Sequence, residues 1–125
     1  MSFGLTSANV VRGQWAGTSA ATVVTGITVA AGNNTQALAV ALTGEINIIG
    51  TSSATASTGV RLPANVYAGD SVVVVNNGAS STAVYPATGG VINALSANAA
   101  LTLTAGQKAM FVASTPSNWI AIVSA

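Results

Sequence analysis

Side chains able to do acid–base chemistry are very few in this chain of 125 residues. Histidine and cysteine are absent, which removes the usual general base and the strongest nucleophile. Glu45 and Asp70 are the only side-chain carboxylates, and a glycosidase would need both beside one bond. Each has a simpler interpretation. Glu45 follows Gly44 at the start of a predicted strand, and Asp70 follows Gly69 in a predicted turn, where a carboxylate accepts backbone N–H bonds. The sequence therefore predicts a protein that is not an enzyme.

The sequence also contains few side chains that could bind a cofactor or a metal ion. No thiolate zinc site can form without cysteine, and two carboxylates are too few for an oxygen cage around a hard cation. Backbone carbonyls at a trimer axis remain an alternative way to hold calcium or sodium. The Gly89-Gly90 pair lies between predicted strands, so no helix N-terminus accompanies it to hold a phosphate. We expect neither a cofactor nor a metal ion.

Three basic residues, Arg12, Arg61 and Lys108, leave the chain with a net charge of +1. Scattered in this way they cannot neutralise a row of phosphates, so nucleic-acid binding is not expected. Arg61 and Lys108 have two interpretations that stay open. Either they pair with Glu45 or Asp70 of another subunit, or they are solvated side chains. An exposed ion pair would in any case contribute only about 0–1 kcal/mol.

The scarcity of charge is the most unusual property of the composition. Charged residues make up 4% of the chain and hydrophobic residues 50%, whereas an ordinary domain is about 25% charged. A compact monomer of this length would expose roughly 6,000 Å² of surface, which so few charges cover thinly. Near-zero net charge also gives little colloidal repulsion. We therefore expect much of the surface to be buried against other chains.

A membrane location is the rival explanation of the high apolar content. A spanning helix needs about 20 mainly apolar residues, and the richest runs, 37–42, 71–75 and 119–123, are far shorter. A transmembrane barrel would need longer alternating strands and aromatic girdles, but the chain has only two Trp, two Tyr and two Phe. The first residues show no basic region followed by an apolar core. We therefore expect no membrane role, no secretory signal and synthesis in a cytoplasm.

Closely spaced strand signals, separated by turn residues, predict an all-β fold. We expect an antiparallel β-sandwich or small barrel, because strands at this spacing are typical of those folds. No fixed repeat of about 20 to 50 residues is visible, so a solenoid is not expected. Residues 36–43 have a helical alternative, because Ala and Leu favour helices. The predicted strands cover 23–30, 37–42, 45–49, 71–76, 82–85, 101–104, 108–113 and 119–123.

Four consecutive valines, Val72, Val73, Val74 and Val75, place apolar side chains on both faces of one predicted strand. Such a strand needs a cover on each face. We expect one pair, Val73 with Val75 or Val72 with Val74, to face a second sheet or another subunit. Together with Arg61, these valines are the predicted inter-subunit or inter-sheet residues.

Residues 1–20 are the least patterned part of the chain and are predicted to form an extended arm, followed by a single β-domain over 21–125. Trp15 stands there among Gly, Gln and Ala, without a local core of its own. It either folds back onto its own domain or anchors the arm in a partner's pocket, as aromatic hot spots do, and we favour the partner. Phe3 and Leu5 are the next candidates for binding that partner.

Residues 59–120 carry an ordered series of short motifs. The series consists of Gly59-Val60-Arg61-Leu62-Pro63, Gly69-Asp70, Val72 to Asn76 with Gly78-Ala79, Val84-Tyr85-Pro86 with Gly89, Ile92-Asn93, Ala97-Asn98, and Phe111 with Trp119. In this order the motifs resemble a β-rich module common in structural proteins of tailed phages and prophages, whose members serve as head decoration or fibre components. The resemblance implies a virion location and a homotrimer, and it brings no catalytic motif.

The predicted function is that of a capsid decoration (cement) protein. It would be assembled in the host cytoplasm, bind the major capsid protein on the outer capsid surface, and stabilise the head. The alternative is a trimeric head-fibre or tail-fibre module that binds a host-surface glycan or protein, against which the sparse aromatic residues count. A third hypothesis, an ice-binding or adhesive surface, ranks low because only Thr102 and Thr104 form part of a regular threonine array.

Overall fold

The computed structural model describes residues 22–125, which form ten β-strands and no helix. The prediction of an all-β fold is confirmed, and the helical alternative for 36–43 is wrong, because this stretch is a turn followed by a two-residue strand. No helix in the described range could span a membrane. The strands are β1 Val23–Thr28, β2 Val40–Ala41, β3 Ile46–Thr51, β4 Gly59–Arg61, β5 Ser71–Asn76, β6 Thr82–Tyr85, β7 Val91–Ile92, β8 Leu101–Leu103, β9 Lys108–Ala113 and β10 Asn118–Val123.

The chain winds between two sheets. The larger sheet has the strand order β1-β3-β5-β9-β10-β7, and the smaller one β2-β4-β6-β8. Strands β1, β3 and β5 are parallel neighbours in the larger sheet, and β2, β4 and β6 are parallel neighbours in the smaller one. Successive strands therefore add to the two sheets alternately, as in a solenoid. After β6 the direction reverses: β8 is antiparallel to β6, and β9 is antiparallel to both β5 and β10.

The expected antiparallel sandwich or small barrel is therefore wrong, because the two sheets have a solenoid-like arrangement, and the expectation against a solenoid is wrong as well. The winding leaves no fixed repeat in the sequence, because successive windings of the chain differ in length. Val23 is aligned with Ile46 and Ile46 with Val73, so that one turn takes 23 residues and the next takes 27. Without a constant period, comparison of the two halves of the sequence finds no repeat.

Both sheets contribute to one hydrophobic core. Its largest fully buried side chains include Phe111 and Ile49 from the larger sheet and Leu103 from the smaller. Val74 of β5, together with Val60 and Val84 of the smaller sheet, is also fully buried in the same cluster. Burial of one branched apolar side chain stabilises a fold by about 1.5–3 kcal/mol. This shared core holds the two sheets against each other.

Two buried asparagines satisfy backbone groups where strands meet turns. Asn47 Nδ2 donates to the carbonyls of Gly44 and Val73, at 2.8 and 3.2 Å, and its Oδ1 accepts from Gly44 N at 3.1 Å. Asn76 Nδ2 donates to Ser80 O at 2.9 Å and to Leu103 O at 3.1 Å. A buried backbone carbonyl without a partner would be costly. The asparagines therefore stabilise irregular backbone between successive windings.

Strand bounds differ from the predicted ones mainly where strands are short. The predicted strand 37–42 shrinks to β2, and β4 and β7 were not predicted at all. These elements have two or three residues, which is too short to display a period of two. Strands β5, β6 and β9 have the bounds that were predicted, and β1, β3 and β10 differ from the predicted bounds by one or two residues.

Candidate interaction surface

The outer side of the larger sheet is lined with bulky apolar side chains. The strand register places Val23, Ile46, Val73, Met110 and Ile122 in one continuous row across β1, β3, β5, β9 and β10. A row on one side of this holds Ile48 and Val75, and a row on the other side holds Val112 and Ile120. We call these nine residues, together with Val91 of β7, the apolar face.

Alternation along each strand shows that the apolar face points away from the core. In β9, Ala109, Phe111 and Ala113 are buried, whereas Met110 lies between them and is 44% exposed. In β10, Trp119 is buried, whereas Ile120 and Ile122 are 51% and 62% exposed. Single exposed hydrophobic residues are normal, but a contiguous patch of them marks an interaction site.

Polar residues lie mainly at the ends of the strands that form the apolar face, and Thr25 in the middle of β1 is an exception. Ser71 begins β5, Asn118 begins β10, and Lys108 begins β9. Lys108 aligns with Val75, and its Nζ donates to Gly106 O at 3.2 Å, in the turn that precedes β9. The ammonium group therefore lies at the rim of the apolar face, where water can reach it.

The two pairs of the four-valine run have different environments. Val72 and Val74 point inward, with 5% and 0% exposure, and pack in the core between the sheets. Val73 and Val75 are half-buried members of the apolar face. The first pair is thus an inter-sheet pair, and the second pair points away from the core; its contact with another subunit stays a prediction.

Arg61 lies on the smaller sheet, away from the apolar face. Its Nη1 donates to the carbonyls of Gln36 and Ala37, at 2.9 and 3.2 Å. Arg61 also aligns with Ala41 of β2 and Tyr85 of β6. These contacts attach the loop that precedes β2 to the sheet. A role for Arg61 between subunits stays a prediction.

The two carboxylates serve the backbone. Glu45 Oε1 accepts from Thr22 N at 3.1 Å, and Asp70 Oδ2 accepts from Tyr67 N at 2.9 Å. The second contact is the turn-stabilising bond expected of an aspartate after glycine. Within residues 22–125, no cluster of three or more acidic, His or Cys side chains could hold a metal ion.

A shallow depression of about 530 Å³ lies on the side of the smaller sheet, and hydroxyl groups dominate its lining. Hydrogen bonds connect the segments that form the depression. Tyr85 Oη donates to Ser57 O at 2.6 Å, and Ser52 Oγ donates to Ser80 O at 2.8 Å. None of the residues from 22 to 125 that line it is charged. The hydroxyl-bearing residues are Ser53, Thr55, Ser57, Thr58, Ser80, Ser81, Thr82, Tyr85 and Thr102.

The apolar face was only partly predicted. The valine run was recognised, but the same signal, apolar residues at both parities of one strand, also occurs in β3, β9 and β10. Phe3, Leu5 and Trp15, the predicted arm residues, lie outside the described residues.

Comparison with known proteins adds no relative: no family model and no curated protein matches this chain.

Proposed function

We propose that this protein is a structural subunit of a phage virion, a capsid decoration protein that works as a homo-oligomer on the outer surface of the head. The observation that carries the proposal is the apolar face. A monomer would leave at least four large apolar side chains, Val23, Met110, Ile120 and Ile122, about half or more exposed on one sheet. Patches of this kind are covered in stable assemblies.

The virion context rests on the resemblance of residues 59–120 to phage structural modules, and a homotrimer is the assembly that this resemblance implies. The composition supports the same role, because a chain with five charged residues has little to keep single copies apart in solution. The described carboxylates bind backbone amides, and this is compatible with a structural role.

The mechanism we propose is multivalent adhesion. Each copy would contact the major capsid protein weakly, and the copies of one oligomer would bind together. Linking weak sites raises the overall affinity through effective concentration, typically by about 10² to 10⁴. The head would be stabilised because one oligomer joins neighbouring capsid subunits.

Capsid binding can be measured directly by adding purified protein to undecorated capsids and determining the bound fraction by sedimentation. With Trp15 as the anchor, Trp15→Ala should weaken attachment by about 2 kcal/mol or more, as for an interface hot spot. Deleting residues 1–17 should abolish binding and leave the oligomer intact. Phe3→Ala and Leu5→Ala should have smaller effects.

Two outcomes would contradict this account. A truncated protein that binds as well as the full chain would move the attachment to the β-domain, near Arg61 or Lys108. Unfolding of the truncated protein, seen by circular dichroism, would mean that Trp15 belongs to the core of its own domain.

The hydroxyl-lined depression favours a second candidate, a trimeric fibre module that binds a neutral host-surface glycan. Hydroxyl groups and one tyrosine ring are suitable partners for an uncharged sugar. Thr102→Trp would fill the depression, whereas Thr104→Trp, two residues away and also exposed, lies outside it. For a fibre, only the first change should abolish adsorption of particles to host cells.

Copy number separates the two functions. Hundreds of copies per particle, counted by quantitative mass spectrometry of purified virions, would identify a decoration protein. A handful of copies would identify a fibre.

A further inference from the structure

We infer that the occupant of the apolar face is the same face of other copies of this chain. This inference rests on the proposed function, because it names the surface through which the proposed oligomer forms. It concerns only contacts between copies, and it is independent of how the oligomer attaches to a capsid.

The size of the face fits an interface core. The ten side chains of the apolar face, each taking about 4.8 Å across the strands and about 6.6 Å along them, cover roughly 300 Å². A stable interface buries about 800 Å² per partner, with an apolar centre and a polar rim. The apolar face would supply that centre, and Ser71, Lys108 and Asn118, at the strand ends, would supply part of the rim.

The charge pattern points to a copy of the same chain. The apolar face holds no charge except Lys108 at its rim, so a partner with charged groups at this position would leave those groups buried and unpaired. Unpaired buried charges cost several kcal/mol each. The apolar face of another copy brings none toward the centre, and its lysine also lies at the rim.

The outer sides of the two sheets differ in polarity, as expected if copies associate through the larger sheet only. On the smaller sheet, the outward positions include Arg61, Tyr85 and Thr102, and hydroxyl groups line the neighbouring depression. On the larger sheet, valine, isoleucine and methionine occupy most of the outward positions, and the polar exceptions are Thr25 and residues at strand ends. With the larger sheets turned toward one another, the polar sheets face solvent.

Because the chain contains no cysteine, a single introduced thiol is the only one that a maleimide can label. Met110→Cys and Ile122→Cys place single thiols on the apolar face, and Thr102→Cys places a matched thiol on the smaller sheet, at a residue that is also exposed. The rate of maleimide labelling is measured for each variant at a concentration where light scattering shows an oligomer. We expect the first two thiols to react at least about tenfold more slowly than the control, and to match it in dilute, dissociated protein.

The outcomes separate this inference from the proposed function. If the protein is oligomeric but all three thiols react equally fast, the copies meet through another surface and the inference is overturned, while the structural role stands. If the wild-type protein is monomeric at micromolar concentration with the face protected, residues 1–21 of the same chain cover it, and the inference is again overturned. A monomer with a freely reactive face would refute the inference and the proposed function together.

Discussion

Thr82 is the one buried side chain among the described residues that has a polar atom without a hydrogen-bond partner. It is fully buried, and it aligns with Leu103 on β8, whose side chain lies in the core. Although Thr82 borders the hydroxyl-lined depression, its side chain is on the same side of the smaller sheet as the buried side chain of Leu103. An unsatisfied buried hydroxyl costs about 1–3 kcal/mol.

Replacing this hydroxyl with a methyl group should stabilise the fold. Thr82→Val keeps the shape of the side chain and removes the unpaired group, so the free energy of unfolding should rise by about 1 kcal/mol. Thr58→Val is the control, because Thr58 is also buried but its Oγ1 donates to Thr55 O at 2.9 Å. It should lower the free energy of unfolding by a similar amount. Urea denaturation followed by circular dichroism measures both, and a loss of stability in Thr82→Val would show that its hydroxyl has a partner.

Gly59 lies where two strands of the smaller sheet come unusually close. A Cβ atom added there would collide with the backbone of Ala83, its aligned neighbour on β6. Backbone cannot move aside as the end of a long side chain can. Gly59→Ala should therefore lower the free energy of unfolding by several kcal/mol, the range expected for severe overpacking.

Gly32 offers a matched control for this substitution. A Cβ atom there meets nothing within 4 Å, and its backbone does not have a positive φ. Gly32→Ala should leave the melting temperature nearly unchanged. Equal melting temperatures for the two variants would mean that β4 and β6 can separate without cost.

At the scale of elements, β5 contributes side chains both to the hydrophobic core and to the apolar face. Val74→Asp would bury a carboxylate in the core, where no partner is available, and should unfold the protein. Val73→Asp changes the neighbouring residue but places the charge on the apolar face. It should leave a folded chain that no longer associates. Circular dichroism reports folding and light scattering reports association, and assembly of a folded Val73→Asp variant at the wild-type concentration would count against the apolar face as an interface.

The strand windings explain which parts of the fold depend on distant residues. Strands β1, β3 and β5 pair with strands more than 20 residues away, so no local turn specifies their neighbours. The β9–β10 hairpin, by contrast, is joined by the short turn at 114–117. Its strands were predicted within one residue, because tight turns leave a local signal.

At the scale of the whole molecule, stability should depend on protein concentration. Only folded copies can associate through the apolar face, so association would stabilise the folded state and raise the melting temperature by mass action. We expect the melting temperature of the wild-type protein to rise across a hundredfold increase in concentration, and that of Val73→Asp to stay constant. A constant melting temperature for the wild type, with a monomer mass by light scattering, would contradict the homo-oligomer.

The sequence by itself determined the all-β class, the position of the longer strands and the need to cover both sides of the valine run. These follow from local propensity, turn residues and the alternation of side chains, all of which act over a few residues. The tertiary structure decided the parallel winding and which valine pair points inward. Alternation has a period of two in parallel and antiparallel strands alike, so it cannot specify the partner strand or its direction. Which pair is buried depends on the side of β5 on which the smaller sheet lies, and alternation along β5 alone does not specify that side.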